Sequence, residues 1–134
     1  MRLINDQELK DIIERGNNEV LVDKASAIGN ALARQLTTSQ IRGIFGSVRR
    51  IELDWQDPRQ NPDPRRVAQA QREFALLRPR LAYQARRERG RGVEDLRDVL
   101  DPAMEIVGNN HTYFRNFVDF FEAILAYHKA AGGQ

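Results

Sequence analysis

Apolar residues recur at three- and four-residue intervals through most of the chain, the spacing that lines one face of an α-helix. The clearest run is Ile41, Ile44, Phe45, Val48, Ile51 and Trp55, which Thr37 or Thr38 can cap. Before it, Asn5 or Asp6 opens a short helix that stops at Gly16, and a second helix spans about Asn17 to Gln35 with Leu21, Ala25, Ile28 and Leu32 on one face. Pro58, Pro62 and Pro64 then break the backbone. The pattern predicts an exposed loop from about Asp57 to Asp63, with Asp63 as N-cap and Pro64 at the first helical position.

A fourth helix buries Val67, Ala70, Phe74, Leu77 and Leu81, and Pro79 inside it predicts a kink or a restart. The stretch RERGRG (87–92) reads as a flexible basic loop. Val93, Leu96, Leu100, Ala103 and Val107 mark a fifth helix, with a second kink expected at Pro102 and an end at Gly108. From Asn109 or Asn110 a last helix runs to about Ala130. Phe114, Phe117, Val118, Phe121 and Leu125 line one of its sides, with Tyr113, Phe120, Ile124 and Tyr127 beside them. A helix that apolar all round is central or covered by a partner. No segment alternates like a half-buried strand, so the expected fold is all-α: a compact bundle of five to six helices without a sheet, in one domain over residues 1–134.

Composition narrows the setting. With no cysteine, neither disulfides nor thiolate metal sites can form. No apolar run approaches the ~20 residues that span a bilayer, and the N-terminus lacks the apolar stretch of a signal peptide. A cytoplasmic location without membrane contact is the expectation. The net charge of +2 conceals an uneven distribution. Residues 40–91 hold thirteen arginines, no lysine and six acids, against a slight acidic excess on either side. Such a block suits a polyanionic partner, and the planar guanidinium pairs with phosphate bidentately, as lysine does not. Arginine usage from a GC-rich genome, with side chains solvating helix faces, accounts for the same count.

Catalytic chemistry finds little to build on. His111 and His128 are seventeen residues apart, a spacing that rules out a metal pair on adjacent turns of one helix. His111 falls in a loop or first turn, and His128 sits where a helix C-terminus favours positive charge. Glu94, Asp98 and Asp101 share a helix face and can in principle hold Mg²⁺, though acids near a helix start more often form a solvated face. No phosphate-binding glycine loop, dinucleotide motif or nucleophile elbow is present. No cofactor and no metal are expected.

The arginines carry the functional signal. Arg42 and Arg49 lie within about 20° of each other on the third helix, opposite its core face, and Arg50 borders the same strip. Gly46 lies between them. Its cost of roughly 1 kcal/mol against alanine would be explained by close approach of a phosphate backbone or a partner helix, or simply tolerated. On the fourth helix Arg65 pairs in phase with Arg72 and Arg80 with Arg87, with Arg78 and Arg86 nearby. With Arg89 and Arg91 they can form a phosphate-tracking surface. Apart from Tyr83, no aromatic residue is interleaved among them, which favours backbone contact over base readout.

Three segments in this order resemble the small subunit of Csm-type (type III-A) CRISPR effector complexes. They are LTTSQIRGIF (36–45), LRPRLAYQARR (77–87) and FRNFVDFFEAILAYHKAAGG (114–133), with the looser VLVDKASAIGNAL (20–32) at the family's early helix. The resemblance implies a helical, non-catalytic subunit of an antiviral complex. Several copies stack beside the backbone subunits and line the channel where target RNA pairs with guide RNA. Cleavage of target RNA then falls to the neighbouring backbone subunit. The implied partners are both RNAs, the other Csm subunits and further copies of the chain. By position Arg42, Arg80 and Arg86 are the implied RNA contacts, joined by Arg49, Arg50 and Arg87. Asp119 stands where the family often has a basic residue, so the last helix reads as core and subunit packing. The rival readings are a metal-dependent nuclease using Glu94, Asp98 and Asp101, and a helix-turn-helix DNA-binding protein with TTSQIRGIF as recognition helix.

Overall fold

The computed structural model describes residues 3–134; Met1 and Arg2 of the expected domain lie outside the described residues. Six helices follow one another: α1 (Asp6–Ile13), α2 (Asn18–Leu32), α3 (Thr38–Asp54), α4 (Pro64–Arg87), α5 (Gly92–Val107) and α6 (His111–Ala130), with no strand among the described residues. The fold is all-α, as the periodicity predicts.

Local chemistry sets the helix starts. Asn5 and Thr37 each form a capping box, with Glu8 and Gln40 respectively returning a bond to the cap backbone. Asn17, Asp63 and Asn110 accept from backbone N–H groups in the first turns of α2, α4 and α6. Among the alternatives the sequence left open, Asn5, Thr37 and Asn110 are therefore the caps. α5 has no side-chain cap and begins instead by packing. Gly92 is the first residue of this helix rather than the end of a basic loop, and the connection shrinks to residues 88–91. A Cβ at Gly92 would stand 2.2 Å from the Gln35 carbonyl oxygen and 3.0 Å from Leu36 Cα. The backbone of α5 thus starts directly against the α2–α3 turn.

α4 runs unbroken through Pro79. The ring is exposed, as is Ala75, whose carbonyl loses its usual partner, so water can satisfy that oxygen. α5 likewise continues through Pro102.

α6 is the central helix and packs against α1, α2, α3 and α5. Phe114, Phe117, Phe120, Phe121 and Ile124 on it are fully buried, which explains its apolar circumference. Trp55, at the end of α3, stacks on Phe114 with ring centroids 4.4 Å apart, and Phe74 of α4 meets Phe114 and Phe117 edge-on at 5.2 and 5.5 Å. Phe45 meets Phe121 edge-on at 5.1 Å, so α3, α4 and α6 share one aromatic cluster. α2 approaches α6 closely at Gly29, where an added Cβ would lie 2.7 Å from both His128 N and Tyr127 Cβ. The glycines with a packing reason are therefore Gly29, Gly92 and Gly133, whose added Cβ would run into the His128 ring and carbonyl. Gly46 has only the end of Arg50 within 4 Å of such a Cβ.

His128 is a core residue. It is fully buried, and its Nε2 donates to the Leu36 carbonyl oxygen at 2.5 Å, while Nδ1 has no partner. This bond ties the end of α6 to the α2–α3 turn, and His128 stands in the last turn of the helix as the sequence predicts. Thr38 Oγ1 adds a bond of 3.0 Å to the Gly133 carbonyl.

A clamp also joins α4 to α5. Arg78 donates from Nε and Nη2 to the two oxygens of Asp101 at 2.8 and 3.1 Å, holding the Asp101 carboxyl below its ordinary pKa of about 4 despite some desolvation. A depressed folded-state pKa gives stability that is present above the unfolded value and is lost as pH falls through the folded one. The pair is about one-third exposed, so Asp101→Asn is expected to cost only ~0.5–1 kcal/mol at pH 7. Urea titrations across pH 7 to pH 2 check this: the gap between wild type and variant should close below pH 4.

Candidate nucleic-acid interface

α3 and α4 are antiparallel, joined by the proline-broken segment 56–63. Arg66 of α4 reaches back to Asp54 of α3 at 2.9 Å, and Arg80 lies level with Ser47 and Arg50. Between the helices runs an open groove of about 280 Å³, floored by Ile51, Ala70 and Leu77 and edged by Arg50, Asp54, Glu73 and Arg80. Two arginines singled out on separate helices are thus brought to one groove. Arg42 shares the strip of α3 that carries Arg49 and is not among the groove residues, while Arg86 lines a separate groove with Ala82, Ala85, Glu94 and Arg97 on the α5 side of α4.

The six expected contact residues differ in how firmly they are held. Arg42 and Arg86 are exposed, and neither has an ion pair or side-chain hydrogen bond among the described residues. Arg50 donates to Ser47 Oγ at 3.0 Å, a neutral partner that leaves its charge uncompensated. Arg80 pairs with Glu73 at 2.8 Å and Arg87 more loosely with Glu88 at 3.6 Å. Exposed pairs of this kind contribute only ~0–1 kcal/mol and can be exchanged for a phosphate.

Arg49 is placed differently. It lies over the Phe45 ring and bridges Glu52, at 2.7 Å, and Glu122 of α6, while Arg115 also reaches Glu52. Asp119 joins the group, its carboxyl raised by desolvation, lowered by Arg115 and raised again by Glu122 and Glu52. Two arginines against three carboxylates give this α3–α6 surface no excess positive charge. The structure sets Arg49 apart from the groove residues.

Sequence periodicity missed two further assignments. Arg78, grouped with the phosphate-tracking arginines, is committed to Asp101, with Glu105 at 3.7 Å. Arg91 is spread between Glu94 and Asp95, each at 3.5 Å. No local spacing signals a contact such as Arg78–Asp101, twenty-three residues apart. Among the described residues no three His, Cys, Asp or Glu side chains are grouped to hold a metal ion, so Glu94, Asp98 and Asp101 do not converge. His111 lies at the start of α6, its ring 6.5 Å from that of Trp55. Among the described residues no helix is long and apolar enough to cross a membrane.

Fold and site together define an all-α protein with an arginine array along one antiparallel helix pair. The chain belongs to the Csm2 type III-A family, whose model matches residues 15–134, from just after α1 to the last residue. It is therefore a small subunit of a type III-A CRISPR effector complex, with other Csm subunits as partners. No curated protein and no solved structure matches the chain.

Proposed function

We propose that this subunit is a non-catalytic RNA-backbone clamp, which lines the channel where target RNA pairs with guide RNA and contributes to antiviral defence. The observation that carries this reading is the set of exposed arginines on α3 and α4. Among them Arg42, Arg50 and Arg86 keep uncompensated charge, and Arg80 and Arg87 have only exchangeable partners. Charge-assisted bonds from guanidinium groups to phosphate oxygens need no particular base, so binding is independent of sequence and weakens with salt. Arg49 serves chiefly to join α3 to α6. The apolar floor of the groove and the exposed Leu53 suit contacts with neighbouring subunits, including further copies of the chain.

The lack of catalysis is tested directly. Purified chain incubated with labelled single-stranded RNA and Mg²⁺ should leave the RNA intact. Cleavage that disappears in a Glu94→Gln/Asp98→Asn variant would replace this reading with a metal-dependent nuclease.

A further inference from the structure

All ten aromatic residues but one are buried or half-buried, and the exception lies inside the arginine array. Tyr83 is 67% exposed on the last two turns of α4. Arg80, Arg86 and Arg87 stand three or four residues from it and so are its neighbours on the helix surface, Arg80 and Arg86 to either side. The Arg87 guanidinium lies over its ring, 5.7 Å from the centroid, and among the described residues no aromatic ring contacts it. Its hydroxyl has no hydrogen bond among the described residues. Val22 and Leu53, the other exposed large apolar residues, are aliphatic and offer no π-face.

Exposure of a large ring to water is unfavourable unless something covers it, and the surrounding charge selects what that can be. The Arg87 guanidinium on the ring, with Arg80 and Arg86 one turn away along the helix, disfavours a basic partner and attracts a polyanion. A nucleobase is the part of a polyanion that is itself flat and apolar enough to lie on the ring. A guanidinium over the phenol is the arrangement that single-strand binders use, with stacking and cation–π attraction acting together.

We propose that Tyr83 is a stacking platform for one unpaired RNA base, flanked by arginines that hold the adjacent phosphates. This rests on the RNA-binding reading above and deepens it, because it adds a contact to a base within an otherwise phosphate-directed surface. It also separates two strand states. A base in a continuous duplex has its faces occupied, whereas an unpaired base is free to stack.

The test compares wild-type chain, Tyr83→Ala and Tyr83→Phe on single-stranded RNA and on an abasic RNA of the same length. Stacking on one base predicts that Tyr83→Ala binds the normal RNA roughly tenfold more weakly, while Tyr83→Phe stays close to wild type. On abasic RNA all three should bind equally. The salt slope should be unchanged throughout, because no phosphate contact is lost. Salt-dependent binding that is equal for wild type and Tyr83→Ala on normal RNA would overturn the platform and leave the backbone reading standing. Failure of wild type to bind either RNA would overturn both. If Tyr83→Ala keeps full RNA affinity but no longer enters the reconstituted effector complex, a protein subunit covers the ring and the platform is likewise overturned.

Discussion

Phe114→Ala is expected to destabilise the bundle by about 3–5 kcal/mol, a large share of the roughly 5–15 kcal/mol that holds a typical domain together. Phe114 is fully buried where α3, α4 and α6 meet, stacked on Trp55 and met edge-on by Phe74. Removing its ring takes away apolar burial and leaves a cavity that these neighbours cannot fill without moving three helices. Trp55 is the only tryptophan in the chain, so its fluorescence reports on this cluster. Urea unfolding followed by tryptophan emission and by far-ultraviolet circular dichroism should give the same lowered midpoint by both probes. A loss below about 1 kcal/mol would mean that the cluster does not join the three helices.

Gly29→Ala is expected to destabilise by about 1–3 kcal/mol, although alanine favours helix by nearly 1 kcal/mol in an open position. The added methyl would meet main-chain atoms of α6, His128 N at 2.7 Å and Ile124 O at 2.9 Å, which cannot rotate away as a side chain can. α2 and α6 would have to separate, disturbing the nearby His128–Leu36 bond. Gly43→Ala supplies the control of opposite sign. No heavy atom lies within 4 Å of its added Cβ, so helix propensity alone should stabilise by about 0.5–1 kcal/mol. Thermal or urea unfolding of the two variants checks both, and equal effects would show that the α2–α6 approach is looser than described.

Much of the fold was legible because the sequence writes it locally. The run from Ile41 to Trp55 and the Asp63–Pro64 start are specified by near neighbours in sequence and appear as read, and the cap of α3 is Thr37, one of the two residues the sequence allowed. The errors fall where a distant segment decides. RERGRG resembles a loop on composition, yet Gly92 enters α5 because the α2–α3 turn leaves no room for a side chain. The place of His128 near the end of α6 is as read, but its burial and its bond to the Leu36 carbonyl, ninety-two residues away, were not legible. At the site, spacing correctly placed Arg80 and Arg87 on one stripe. It could not foresee that α3 would bring Arg50 to the same groove, or that Asp101 would claim Arg78 and Glu122 would claim Arg49. Which arginines keep free charge is a property of the packed bundle.

Arginines on α3 and α4 that hold RNA by its phosphates should reveal themselves in a salt titration of single-stranded RNA binding. Wild type is compared with Arg42→Ala/Arg50→Ala/Arg80→Ala/Arg86→Ala, whose replaced side chains hold no two helices together by an ion pair. With folding confirmed by circular dichroism, the variant should bind more weakly. Its plot of log K against log salt should be shallower by about 0.7 for each lost phosphate contact. An unchanged slope in the folded variant would contradict this and assign these arginines to subunit contacts instead.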